Sequence, residues 1–176
     1  MSTVTARNLR CEYGKNPIGI DQTPRFSWVI DAKKRGAGQK GYRLRVFLKE
    51  TDACLWDSGE VESKQSVNVL YEGAALESST AYRWTLQVQD LAGAWTEPEE
   101  ATFETGILDP TLWKATWIRG GNLLRKEFSL QKTVKESRVY ISGLGYYELH
   151  VNGQKVGDHV LDPAWTDFEQ KAFYAT

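Results

Sequence analysis

The sequence has almost no net charge, only two cysteines and two histidines, and no long apolar run. Its 22 Lys and Arg face 23 Asp and Glu, for a net charge of −1. Such a chain throws no long-range field that would draw nucleic acid or anionic lipid, so neither is expected as a partner. No stretch approaches the ~20 consecutive apolar residues that a membrane-crossing helix needs. Met1 to Arg10 lacks the apolar centre of a secretory signal, and there is no Asn-x-Ser/Thr acceptor. Cys11 and Cys54 are therefore expected as free thiols in a reducing, cytoplasmic setting rather than as a disulfide. His150 falls in a strand-like run and His159 in a loop, neither with partners at zinc-like spacing. No glycine-rich loop precedes a helix, so a phosphate cradle is missing too. Neither a metal nor an organic cofactor is expected.

Helical periodicity is almost absent, and period-two alternation takes its place. Phe26, Trp28 and Ile30 point one way, with Ser27 and Val29 the other. Tyr42, Leu44 and Val46 alternate with Arg43, Arg45 and Phe47. Tyr82, Trp84, Leu86 and Val88 share a face opposite Arg83, Thr85, Gln87 and Gln89. Half-buried strands of this kind belong to antiparallel sheets with one face in a core. Turn signals at Asp57-Ser58-Gly59, Glu72-Gly73 and Asp90-Leu91-Ala92-Gly93 separate them, which suits a β-sandwich of about 100 residues. Leu76 lies shortly before Tyr82, and a Tyr opening a strand there can return its hydroxyl to the upstream backbone as a corner between sheets. With Trp28 on an early strand, this resembles a fibronectin type III module, placed at residues 1–107.

Asp109-Pro110 reads as a cap and first helical residue, so one short turn is expected to Trp113. New strand candidates follow at Leu124 to Leu130, Arg138 to Ser142, Tyr146 to Val151, Gln154 to Val156 and Ala172 to Tyr174. Asn152-Gly153 supplies a two-residue hairpin turn, and Gly143-Leu144-Gly145 a bend needing small residues. A jelly roll usually has eight strands; four to six can be drawn here. Residues 108–176 are therefore expected to be the N-terminal part of a jelly-roll accessory domain, cut short. The fold class is all-β: a fibronectin type III-like antiparallel sandwich followed by a truncated jelly-roll-type sandwich.

An ordered series of stretches resembles the opening of bacterial α-L-rhamnosidases. It begins with Asn8-Leu9-Arg10-Cys11-Glu12-Tyr13, Asn16-Pro17-Ile18-Gly19-Ile20-Asp21 and Pro24-Arg25-Phe26-Ser27-Trp28. It continues through Leu55-Trp56-Asp57-Ser58-Gly59, Tyr82-Arg83-Trp84 and Phe103-Glu104-Thr105-Gly106. Gly143-Leu144-Gly145-Tyr146-Tyr147-Glu148-Leu149, Val151-Asn152-Gly153-Gln154-Lys155-Val156-Gly157 and Leu161-Asp162-Pro163-Ala164-Trp165-Thr166-Asp167 close it. The resemblance implies a fibronectin-like module and a jelly roll ahead of a large α/α-barrel that carries the catalytic carboxylates. Members hydrolyse terminal α-L-rhamnosides with inversion, which requires two carboxyl groups roughly 6.5–9.5 Å apart. The family's pair would lie beyond Thr176, so no catalytic residue is carried onto this sequence.

The expected role is therefore a non-catalytic accessory segment, with the parent enzyme's catalytic domain as its partner. Two other roles compete: a carbohydrate-binding module for rhamnosides, and an adhesion-type fibronectin module. For the second role the candidate contacts are Trp165, Asp162 and Asp167, since an indole can stack on a pyranose and carboxylates accept from hydroxyls. Asp158, His159 and Glu169 extend that acidic cluster, whose plain alternative is a solvated loop. Trp113 and Trp117 read more readily as packing between domains. A half-built sandwich exposing Tyr140, Tyr147, Leu149 and Val151 would also invite self-association through the second domain.

Overall fold

The computed structural model describes residues 2–32 and 34–176. Two compact units divide the chain, Met1–Trp113 and Lys114–Thr176. No α-helix occurs among the described residues; Pro110–Leu112 forms one 3-10 turn, and every other element is a strand.

The first unit is an antiparallel sandwich. Strands β1 (Val4–Cys11), β2 (Arg25–Ala32) and β5 (Val69–Leu70) form a three-stranded sheet in the order β1-β2-β5. Strands β3 (Gln39–Leu48), β4 (Cys54–Asp57), β6 (Ala81–Asp90) and β7 (Glu99–Glu104) form the other, ordered β4-β3-β6-β7. The fourth strand pairs with the third instead of joining the smaller sheet, unlike the four-plus-three arrangement of an immunoglobulin constant domain. The alternating residues read from the sequence are the ones that face inward. Phe26, Trp28, Tyr42, Leu44, Val46, Tyr82, Trp84, Leu86 and Val88 are all buried in one core. Trp28 is anchored as well as packed: its Nε1 donates to Gln39 Oε1 at 2.9 Å, and Gln39 Nε2 donates to the Ser63 and Gln65 carbonyls at 2.8 Å. A buried amide is satisfied on both ends by this arrangement.

Tyr82 is a corner tyrosine. Its hydroxyl accepts the Glu77 backbone N–H at 2.8 Å, five residues upstream, and its ring stacks on Phe103 with centroids 5.1 Å apart. Tyr82→Phe keeps the ring and deletes one half-buried hydrogen bond, so a loss of about 1 kcal/mol is expected in denaturant unfolding. An unchanged midpoint would show that the hydroxyl contributes nothing to the corner.

Just past the end of β1, Glu12 and Tyr13 both have positive φ, 46° and 65°, and form a tight turn closed by reciprocal Cys11–Gly14 backbone bonds of 3.0 and 2.9 Å. Neither residue favours that region, so the turn costs free energy locally. The Glu12 carboxylate offsets it. It accepts from the Arg25 backbone N–H at 2.7 Å, from Arg25 Nη2 at 2.6 Å and from Gln22 Nε2 at 2.6 Å. These donors, led by the Arg25 guanidinium, hold the Glu12 carboxyl below its usual range. Cys11 is buried and Cys54 exposed, and both are free thiols.

The second unit is organised differently. Its only regular structure is two short antiparallel pairs: β8 (Ile141–Ser142) with β11 (Tyr174–Ala175), and β9 (His150–Val151) with β10 (Gln154–Lys155). Asn152 and Gly153 join the second pair with φ of 51° and 81°, the positive values that a two-residue hairpin turn demands. Gly143 is needed for space, because a Cβ there would meet the Tyr147 ring at 2.8 Å. The strand expected over Leu124 to Leu130 is not formed. Lys126 interrupts its apolar face, and among the described residues no neighbouring strand supplies the ladder without which extended backbone gains no hydrogen bonds. Pro163 is the one buried residue between Lys114 and Thr176.

Candidate carbohydrate-contact site

The sequence-derived candidates Asp162, Trp165 and Asp167 sit on the loop that follows the β9–β10 hairpin. The loop is held to the preceding strand region by one backbone bond, from the Tyr147 N–H to the Asp162 carbonyl at 3.0 Å. Pro163 follows a cis peptide bond and turns inward. Two residues on, Trp165 turns outward and is 72% exposed. Phe168 and Tyr146 flank the indole, with ring centroids 5.4 and 6.4 Å away and planes tilted by 54° and 58°. Three aromatic rings thus gather at one place, in geometries that favour edge and tilted contact. Sequence reasoning singled out Trp165 but missed both partners. Phe168 lies three residues on in a turn with no periodicity to mark it, and Tyr146 was read only as part of a strand.

The two carboxylates do different things. Asp162 Oδ2 faces His159 Nδ1 at 3.1 Å and is half-buried, beside the Tyr147 backbone that its own carbonyl engages. Burial of the Tyr147 phenol, and after it the charge of Asp162, raise that phenol above its ordinary value. Asp167 is turned to its own chain: its carboxylate accepts from Gln170 Nε2 at 2.9 Å and from the Glu169 N–H at 3.2 Å, closing a turn. On the hairpin, Lys155 Nζ meets Glu148 Oε1 at 2.7 Å, and this contact, with His150, holds the Glu148 carboxyl low. Of the other indoles considered, Trp117 is exposed and Trp113 half-buried. Among the described residues no group of three or more His, Cys, Asp or Glu is arranged to hold a metal ion. What the rings and Asp162 offer chemically is one exposed aromatic face with a carboxylate acceptor three residues away on the same loop.

Two family models match the chain in order. Residues 6–109 match the Rha78A-like, N-terminal immunoglobulin domain, and residues 132–176 match the alpha-L-rhamnosidase N-terminal domain. An α-L-rhamnosidase of Formosa agariphila is 36% identical over 90% of this chain and 21% of its own length. The solved α-L-rhamnosidase from Dictyoglumus thermophilum superposes with a TM-score of 0.89 at 32% identity, covering 97% of this chain and 22% of that one. The Streptomyces avermitilis α-L-rhamnosidase, solved with L-rhamnose, gives a TM-score of 0.62 at 33% identity over 66% of this chain and 12% of that one. The chain spans about a fifth of the length of the curated relatives it matches most fully.

Proposed function

The chain belongs to the Rha78A-like, N-terminal immunoglobulin domain family, and on that premise we propose that it serves as the non-catalytic accessory portion of an α-L-rhamnosidase-like glycoside hydrolase. The observation that carries this reading is the ordered pair of family matches, together with the alignment of nearly the whole chain to about a fifth of a solved rhamnosidase. The parent reaction is inverting hydrolysis of terminal α-L-rhamnosides, and the partner is the catalytic domain that performs it. Glu12, Asp57, Asp90, Asp109 and Glu148 are all displaced toward lower pKa by the donors around them. That direction is wrong for the general acid of a glycosidase, which needs a raised pKa to hold its proton at neutral pH.

The exposed ring cluster supports a second reading, a carbohydrate contact in which Trp165 stacks on a pyranose and Asp162 accepts from its hydroxyls. Asp167 contributes by shaping the turn that carries Phe168.

One set of measurements addresses both. Alone, the chain is expected to give no turnover of p-nitrophenyl α-L-rhamnoside above buffer. Replacing the matching fifth of the Dictyoglumus thermophilum enzyme with this chain should restore the activity that deleting that segment removes. Turnover by the chain alone, or an inert hybrid that folds, would refute the accessory role. Calorimetric titration with L-rhamnose separates the second reading: binding lost in Trp165→Ala supports it, and absence of binding removes it.

A further inference from the structure

The chain has five asparagines, and the structure sets one of them apart. An asparagine amide is lost when the backbone nitrogen of the next residue attacks the side-chain carbonyl carbon. The reaction needs an unengaged side-chain amide, an unengaged N–H on the next residue, and little bulk at the next Cα. Asn8 lacks the first and third, since its Oδ1 accepts from Arg10 Nε at 3.2 Å and Leu9 follows it. Asn16 is followed by Pro17, which has no N–H, and its Oδ1 accepts the Thr102 N–H at 3.0 Å. Asn68 precedes the buried Val69, paired with Phe26 in the small sheet, and Asn122 precedes Leu123. Asn152 meets all three conditions. With Gly153 it forms the exposed two-residue turn between β9 and β10, whose ladder bonds are made by the flanking Val151 and Gln154. Among the described residues, neither the Gly153 N–H nor the Asn152 amide has a hydrogen-bond partner. Further strands would pair along the outer edges of β9 and β10 and would leave these turn groups unengaged. Gly153 is also open on its side-chain face, where an added Cβ would meet nothing within 4 Å.

We propose that Asn152 is a site of spontaneous deamidation that rewrites the β9–β10 turn. The Gly153 nitrogen attacks Asn152 Cγ and forms a C–N bond, closing a succinimide ring. The Cγ–NH₂ bond breaks, and ammonia leaves with the proton that the Gly153 nitrogen gives up. Water then adds at one of the two ring carbonyls and breaks its bond to nitrogen. Opening at the side-chain carbonyl gives aspartate. Opening at the main-chain carbonyl gives isoaspartate, whose backbone runs through the former side chain. The two products differ in structure. Aspartate keeps the turn, since Asp-Gly suits the same positive-φ geometry, and adds one negative charge. Isoaspartate lengthens the backbone by one methylene, which takes Val151 and Gln154 out of register. The 2.8 Å bond from the Val156 N–H to the Leu149 carbonyl, one step further along the hairpin, is lost with them. This chemistry is separate from the accessory role and does not rest on it.

Peptide mass mapping of the intact chain, aged in mildly alkaline and in mildly acidic buffer, tests it. Trypsin cuts after Arg138 and Lys155, so Asn152 falls in the peptide from Val139 to Lys155. That peptide should gain one mass unit, as an amide NH₂ becomes OH, and split into two chromatographic forms. Conversion should be faster in alkali, because the attacking nitrogen reacts in its deprotonated form. Asn152 should convert about tenfold faster than Asn8 or Asn122, the ratio for a barrier lower by ~1.4 kcal/mol. Gly153→Ala should slow it by a similar factor. Alanine at a φ of 81° strains the turn, which alone would loosen it, so slowing reports the blocked approach of the nitrogen. Asn152→Gly should abolish the mass gain and leave the hairpin paired. In the isoaspartate fraction alone, the cross-strand Overhauser contact between Val151 and Gln154 should vanish, and its survival there overturns the register change. An Asn152 peptide that gains no mass overturns the proposal, as does conversion no faster than at Asn8 or Asn122, or conversion indifferent to Gly153→Ala.

Discussion

Phe26→Ala is expected to destabilise the first unit by about 3–5 kcal/mol, the usual range for emptying an aromatic site in a core. Phe26 lies on the small sheet and is 0% exposed. Its ring meets Trp84 of β6 at 4.6 Å and Phe103 of β7 at 5.9 Å, both in the large sheet. It also stacks on Trp56 of β4 at 6.4 Å. One side chain thus ties three strands of one sheet to the other. Its backbone pairs with Cys11 on one side and Val69 on the other, so the strand cannot slide to refill the space. A loss of this size is a large part of a typical 5–15 kcal/mol total. Val29, on the outer face of the same strand and 40% exposed, provides the contrast: Val29→Ala should change stability by less than about 0.5 kcal/mol. Urea unfolding followed by tryptophan fluorescence measures both. A Phe26→Ala loss below about 1 kcal/mol would mean that the sheets can collapse onto the gap, and that the core is looser than its ring contacts indicate.

The difference between the two substitutions is the part of this fold that the sequence displays openly. Period-two alternation in β2, β3 and β6 names the inward residues, because strand geometry leaves each side chain only two directions. The tyrosine corner was equally legible, since it depends on a short offset along the chain. In the second unit the hairpin turn was legible, and short strands formed within or overlapping the runs expected at Arg138 to Ser142, Tyr146 to Val151, Gln154 to Val156 and Ala172 to Tyr174. Asn152-Gly153, like Asp109-Pro110 at the end of the first unit, acts through local backbone preference and formed as expected; Asp109 Oδ1 accepts the Thr111 N–H at 2.9 Å. Strand formation at Leu124 to Leu130 depends on a neighbour to pair with, which no local pattern can supply. The candidate site divides in the same way. Trp165 could be picked out as an indole outside any alternating run, whereas its meeting with Tyr146 and Phe168 is a long-range result of the loop closing on Tyr147.

Asp90 shows the same gap most sharply, because the sequence marked it only as the first residue of a turn. In the structure Asp90 is buried, and its carboxylate collects donors from its own turn and from Thr3. Oδ1 accepts the Ala92 and Ala94 N–H groups at 2.9 Å, closing the β6–β7 turn. Oδ2 accepts the Thr3 N–H at 2.8 Å and the Thr3 hydroxyl at 2.9 Å, pinning the start of β1 from 87 residues away. These backbone donors favour the charged form and, against the opposing effect of burial, lower its pKa from 3.8 to about 2. The folded state therefore binds this proton less readily than the unfolded chain. The stabilisation from Asp90 is complete above pH ~4, declines as pH falls between ~4 and ~2, and is gone below both values. Glu12 and Asp57 are lowered too, so the wild-type slope in this range is shared. Asp90→Asn isolates one share. Its amide must turn an N–H₂ toward backbone N–H donors, so at pH 7 the variant should melt several degrees lower. As pH falls from 4 to 2 the two proteins should converge, because protonation takes from the wild type what the substitution had already removed. Thermal melts at half-unit pH steps would show the convergence. Parallel curves over that range would mean that Asp90 is not the residue losing its charge, and that the strap between Thr3 and the β6–β7 turn is held by something else.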